Sequence, residues 1–265
     1  MIISVCVIPG TIVTGTSLRS ESNTFANRSG KNSSSALPTN TTIGLRDELA
    51  KRPYAPQEVH GYGVASFCIL DLRGITVAPL TTQIGLTSIS CAPRYAVLDM
   101  SLEQETPAVF VSERQTNSAF GAWFTSLGFS APHPQVQAAM SHQDDQTLLR
   151  VESPDDGLLF AATVRPSAET KSTLFSSPQE FAYFIAQGVS SYGCSRHGSR
   201  LTKVDLQKDD ATYTPLEVSN LGGAFADDWQ RHGGVLDSAF LTRGGRYEWT
   251  YHGLTDECVQ DRTAS

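Results

Sequence analysis

The chain has 265 residues, of which 40% are hydrophobic, 18% charged and 9% aromatic; this balance excludes a wholly disordered, collagen-like or disulfide-dense protein. One large all-β domain, or a smaller domain with a tail, accounts for the length, and several sizeable domains do not. The formal net charge of −7 leaves no basic stripe to neutralise phosphates, so neither nucleic acid nor an acidic membrane surface is an expected partner.

The opening residues Met1 to Ile8 are apolar but short and lack a cationic start, which does not make a secretory signal. No run reaches the ~20 apolar residues of a membrane helix. From Thr11 to Thr42, fourteen of thirty-two residues are Ser or Thr and only Glu21 is acidic, so this stretch buries too little to offset its ordering entropy. Its three Asn-x-Ser/Thr sequons, at Asn27, Asn32 and Asn40, are what such a composition produces by chance. Residues 1–50 are therefore expected to be a disordered extension, and 51–258 the folded domain. Five scattered cysteines form no C-x-x-C pair; neither a disulfide framework nor a zinc site is expected, and a cytoplasmic setting follows.

Beyond Glu58 the chain reads as short strands between Gly, Pro, Asp and Asn punctuation. Tyr62–Leu72 is apolar on both alternating sets and should be covered on both faces. Further strands are expected at Arg94–Met100 and Ala108–Arg114, followed by a helix over Asn117–Leu127 with Phe120, Trp123, Phe124 and Leu127 at helical spacing. Strands follow at Thr147–Val151 and Leu158–Arg165. Ser177-Pro-Gln-Glu180 is a capping box with proline at the first helical position, and Phe181, Phe184 and Ile185 then recur until Gly188. The last four strands fit Leu201–Gln207, Thr212–Val218, Val235–Arg243 and Arg246–His252. The pattern predicts a mainly β fold with about two helices, its antiparallel strands closed or nearly closed around an internal cavity.

Gly244-Gly245 between the last two strands signals a two-residue hairpin. That register puts Asp237, Leu241, Arg243 and Glu248 on one side, and Phe240, Tyr247, Trp249 and Tyr251 on the other. The aromatic side should pack. The ionic side either meets solvent or lines a polar cavity, and in the cavity Asp237, Arg243 and Glu248 become ligand or acid–base candidates. Arg94 shares its alternating face with Ala96, Leu98 and Met100, so it is either paired inside or at a rim. Arg114 precedes Gln115-Thr-Asn-Ser118; it either ties a strand end to a loop or, with Asn117 and the first N–H groups of the expected helix, makes an anion site.

No G-x-S-x-G elbow, P-loop, G-x-G-x-x-G turn, H-E-x-x-H helix or EF-hand loop is present, and the six histidines show no ligand spacing, so no metal or cofactor is implied. His60-Gly-Tyr-Gly-Val-Ala-Ser66, Ser90-Cys-Ala-Pro-Arg-Tyr-Ala-Val97, Ser112-Glu-Arg-Gln-Thr-Asn-Ser118 and Leu236-Asp-Ser-Ala-Phe-Leu-Thr-Arg-Gly-Gly-Arg-Tyr-Glu-Trp249 resemble, in that order, the uncharacterised family catalogued as domain of unknown function 2071. That family is similar to acetoacetate decarboxylase, which implies a closed antiparallel β structure around a cavity and, in the decarboxylase, a lysine that forms a Schiff base. This chain departs from that pattern. Where the resemblance places the reactive lysine stands Arg114, which cannot form an imine, and Lys203 alternates against Val204 and Leu206 and should face water.

The expectation is a small, anionic organic molecule held in the cavity by the Arg94 and Arg114 guanidiniums, with Asn117 and Arg243 assisting and Glu248 or Asp237 handling a proton if chemistry occurs. A lyase without the Schiff-base lysine and a non-enzymatic binder or sensor both satisfy these residues. Self-association into a homo-oligomer is compatible with either.

Overall fold

The computed structural model describes residues 2–15, 54–77, 86–101, 104–122, 133–195, 200–208, 212–243 and 246–255, the first of these by backbone course alone. Among them are fifteen strands and two full helices. In chain order the elements are β1 (Ile2–Gly15), β2 (Tyr54–Pro56), β3 (Glu58–Val59), β4 (Tyr62–Val77), β5 (Leu86–Asp99), β6 (Thr106–Val111), β7 (Gln115–Thr116), β8 (Gln137–Gln143), β9 (Gln146–Ser153), β10 (Gly157–Pro166), α1 (Pro178–Gln187), β11 (Ser190–Cys194), β12 (Leu201–Lys208), β13 (Thr212–Gly222), α2 (Ala224–Arg231), β14 (Val235–Arg243) and β15 (Arg246–Thr255). The mainly β expectation holds. Strands β1, β2, β3, β7, β8 and β11 and helix α2 are not among the elements expected from the sequence, and β7 occupies residues read as the lead-in to a helix.

Hydrogen-bonded neighbours follow the order β3-β4-β5-β6-β11-β12-β15-β1-β14-β13-β10-β9-β8, with β2 and β7 on β5 and a further pairing of β1 with β4. The sheet is mixed rather than purely antiparallel, because β1 runs parallel to β4, β14 and β15, and β6 parallel to β11. β1 lies within residues 1–50 and takes in the first five residues of the Ser/Thr-rich tract; the rest of that tract is outside the described residues.

The expected β14–β15 hairpin is not formed. Ile2–Val7 runs alongside Val235–Leu241, and Thr11–Gly15 alongside Arg246–Thr250, both parallel, so the two strands keep one direction along β1 instead of folding back. Their antiparallel partners come from an earlier segment: β12 pairs β15 from Leu201↔Thr255 to Lys208↔Tyr247, and β13 pairs β14 from Thr212↔Arg243 to Pro215↔Phe240. Two glycines permit a reversal but do not compel one, and here the partners offered by β12 and β13 decide the direction. The cross-strand pairs expected from the hairpin, such as Leu241 with Glu248, are replaced by Leu241 with Thr214 and Glu248 with Gln207.

β4 is covered on both faces, as its composition required. Ala65, Phe67 and Ile69 enter the main core with Tyr95, Val97, Phe110 and Phe160, whereas Cys68, Leu70 and Leu72 join Tyr247, and Val64 joins Phe181 and Phe240. Phe67 stacks on Phe160 with ring centroids 4.2 Å apart. Burying such side chains is the dominant favourable term, at about 1.5–3 kcal/mol each. Helix α2 seats Trp229 in the main core, where its indole N–H donates to the Tyr95 hydroxyl at 3.3 Å. Helix α1 starts at the predicted cap: the Ser177 hydroxyl accepts from the Glu180 N–H at 3.2 Å, and the Glu180 carboxylate reaches back to the Ser176 N–H at 2.7 Å, one residue beyond the N-cap that the usual box engages. Of the helix expected over Asn117–Leu127, 119–122 is helical, with the Ser118 hydroxyl accepting from the Gly121 N–H at 3.0 Å; the remainder lies outside the described residues.

Candidate functional site

Alternation along β4 and β5 creates the site. Ala65, Phe67 and Ile69 of β4 and Cys91, Tyr95 and Val97 of β5 enter the main core, which turns Val64, Ser66 and Cys68 of β4, and Arg94 and Ala96 of β5, to the other face, where they line a pocket of about 540 Å³. Val109 of β6 extends this wall. Helix α1 supplies a second wall through Phe181, Phe184 and Ile185, while Leu206, Gln207 and Lys208 of β12 with Tyr213 of β13 complete the lining. The helix approaches β6 closely: a Cβ on Gly188, just past α1, would lie 2.9 Å from a Val109 methyl.

Arg94 stands opposite Ser66 on one side and Val111 on the other. Its Nε is sealed from solvent and meets no hydrogen-bond acceptor. A buried guanidinium N–H without an acceptor is costly, and because Nε is closed to water it is closed to a ligand oxygen as well; what Arg94 offers the pocket is the part of its side chain that lines it. Two further polar contacts within the chain lie in the lining. The Gln57 amide donates to Gln187 Oε1 at 3.3 Å, and the Lys208 ammonium donates to the Tyr213 hydroxyl while lying 4.2 Å from the Tyr213 ring centroid and 5.6 Å from that of Tyr247.

The other sequence-predicted residues are placed as follows. Arg114 is part-buried behind Arg94 and is absent from the pocket lining; it donates to the Ser191 hydroxyl at 2.9 Å, and that hydroxyl donates to the Val204 carbonyl at 2.9 Å. Desolvation, reinforced by the neighbouring Arg94 charge, lowers its pKa to about 10, so it stays cationic at neutral pH. The two arginines thus sit within electrostatic range, one facing the pocket and one not. Asn117 binds β5: its side-chain carbonyl accepts from the Ile89 N–H at 2.8 Å, and its backbone N–H donates to the Ile89 carbonyl at 3.0 Å. Asp237 accepts from the Ser172 hydroxyl and from the Thr173 N–H and hydroxyl, both at 2.6 Å, and so fastens the 172–173 loop to β14. Glu248 pairs with Gln207 next to the pocket-lining Tyr247 and is itself not in the lining. The Arg243 side chain lies outside the described residues.

Lys208 and Tyr213 escaped the sequence reading, although a signal existed: Lys208 shares strand parity with Val204 and Leu206, the inward set. Lys203, expected in water, is half-buried with its ammonium 5.7 Å from the Tyr192 ring centroid. Burial pushes the Cys91 thiol up to about 12, which keeps it protonated and unreactive. Cys68, Cys91 and Cys194 are not in disulfides. Among the described residues, no group of three or more His, Cys, Asp or Glu is placed to hold a metal, and no helix is long and apolar enough to cross a membrane.

No protein-family model matches the chain, and no curated protein matches it. Among solved structures it is similar to an acetoacetate decarboxylase from Legionella pneumophila, with 10% identity over 51% of this chain and 54% of that one at a TM-score of 0.35. It therefore spans about half the length of that protein. It is also similar to an acetoacetate decarboxylase-like enzyme from Sphingomonas wittichii, with 9% identity, 68% and 73% coverage and a TM-score of 0.39. A third similar structure is the enduracididine biosynthesis enzyme MppR with HEPES buffer bound, with 11% identity, 67% coverage of both chains and a TM-score of 0.40.

Proposed function

We propose that this chain is a small-molecule-binding β domain, occupying about residues 51–258 with β1 added to its sheet, that holds an organic anion in the pocket between β4, β5, β12 and α1. Arg94 is the anchor: it lines the pocket beside Ser66 and Ala96, and a guanidinium out of bulk water pairs strongly with a carboxylate. The neighbouring Arg114 adds positive potential from behind the wall, its own position fixed by Ser191. Support for a closed β arrangement around this pocket comes from the pairing of β1 with β4, since the ladder path from β4 through β5, β6, β11, β12 and β15 to β1 then returns to its start. The kinship with the domain of unknown function 2071, and the acetoacetate-decarboxylase-like character it implies, rest on the four residue runs quoted for it.

Binding without turnover is the reading that Arg94 carries. Calorimetry on the full chain with hexanoate as the probe tests it: Arg94→Met is expected to weaken binding about 10- to 100-fold, the loss of one charged hydrogen-bonded contact. Unchanged affinity in that variant refutes the proposal. A second reading, that a bound acid is also turned over, draws on the Lys208–Tyr213 contact, which puts an amine and a phenol in the same lining. Borohydride treatment in the presence of keto acids, with an assay for product, separates the two: labelling of Lys208 establishes imine chemistry, and absence of both label and product leaves a binder.

A further inference from the structure

We infer that the ligand is a monoanion with a hydrocarbon body, a carboxylate carried on an apolar chain or ring of about six carbons or more, and not a compact polar acid or a dicarboxylate. The inference rests on the anion-binding reading above and deepens it. Its basis is the distribution of polarity around Arg94. Along the pocket face the guanidinium is followed by Ala96 of β5, with Val109 of β6 paired to it, and by Val64 of β4; across the pocket stand Phe184 and Ile185 of α1 and Leu206 of β12. A ligand whose carboxylate meets Arg94 therefore projects its remaining atoms against methyl, methylene and phenyl groups. Of the polar groups that share the lining, Gln57 is held by Gln187 and Lys208 by Tyr213, so a second carboxylate directed to either would compete with an existing contact, and one directed along the rest of this wall would lie desolvated against apolar groups. The volume of about 540 Å³ is ample for such a body and falls in the usual range for a small-molecule site.

Calorimetric titration of the full chain with butyrate, hexanoate, octanoate and decanoate, and with the α,ω-dicarboxylates of the same lengths, tests this. Affinity is expected to rise about threefold to fourfold per added methylene until the pocket is filled, the ordinary return for moving a CH₂ out of water. Each dicarboxylate should bind at least about tenfold more weakly than its monoacid, because the second charge must be desolvated. Ile185→Ala should weaken octanoate by a clearly larger factor than butyrate, and thermal unfolding of the same variant checks that α1 still packs. A flat affinity across the series, dicarboxylates that bind as well as monoacids, or no binding of any member each overturns the inference. If the series is flat while Arg94→Met still abolishes binding, the anion site stands and only its apolar selectivity falls. If affinity climbs with chain length but ignores Arg94→Met, the anion site itself falls, and the monoanion with it.

Discussion

Glu113 carries a charge that its surroundings resist. It precedes Arg114 at the end of β6 and is half-buried. Desolvation holds its carboxyl above the ordinary carboxylate range, a hydrogen bond with Gln115 pulls it partly back, and the charge of Asp156 opposes that recovery. Because the folded form binds its proton more tightly than the unfolded form, its contribution to stability is intact below the unfolded value of about 4.3 and lost as pH rises through the higher folded value. Glu113→Gln is therefore expected to raise Tm at pH 7, with the gain shrinking toward pH 4; an equal effect at both pH values would count against the desolvation account. At this scale Arg94 was legible, since strict alternation set it beside Ala96 on one face and the pocket lies on that face. Asp237 was not, because the hydroxyls of Ser172 and Thr173 that hold it come from more than sixty residues earlier, and no local pattern encodes such a contact.

Helix starts show how differently two elements of similar length are specified. α1 depends on the Ser177 side chain, which satisfies the Glu180 N–H, and Ser177→Ala should cost about 1 kcal/mol in urea unfolding, the usual value of an N-cap. α2 begins after Gly223, which has no side chain to cap with and a φ of +99°. A Cβ there would lie 2.7 Å from both the carbonyl carbon and the carbonyl oxygen of Leu159 in β10. Gly223→Ala must both strain the backbone and displace a strand, so its cost should exceed the cap loss and pass the ~1–3 kcal/mol of a strained conformation alone. Equal unfolding midpoints for the two variants would contradict this ranking. The capping box made α1 readable, whereas α2 announces itself only by tertiary contact. The last two strands teach the same lesson: their bounds were readable from composition, but their direction was set by β12 and β13, which a local turn signal cannot report.

For the whole molecule the decisive element is β1, the strand that composition gave least reason to expect. It pairs with β4 from Ile2↔Val64 to Thr14↔Val77, and on its other edge with β14 and then β15. An apolar opening of eight residues is too short to be assigned to a strand by alternation, and its partners lie some sixty and more than two hundred residues away, so its place in the sheet was invisible to pattern. Removing it would leave the hydrogen-bonding edges of β4, β14 and β15 unpaired together, and open edges of that length template intermolecular pairing. A chain lacking residues 1–15 is accordingly expected to unfold at lower temperature, to bind more of a hydrophobic dye such as ANS, and to self-associate at concentrations where the full chain does not. Because β4 also forms the pocket wall opposite α1, the truncated chain should lose affinity for hexanoate even where Arg94 is untouched. An unaltered Tm with unaltered hexanoate binding would mean that the sheet and its pocket stand without β1, and that the path from β4 round to β15 is held by its other ladders alone.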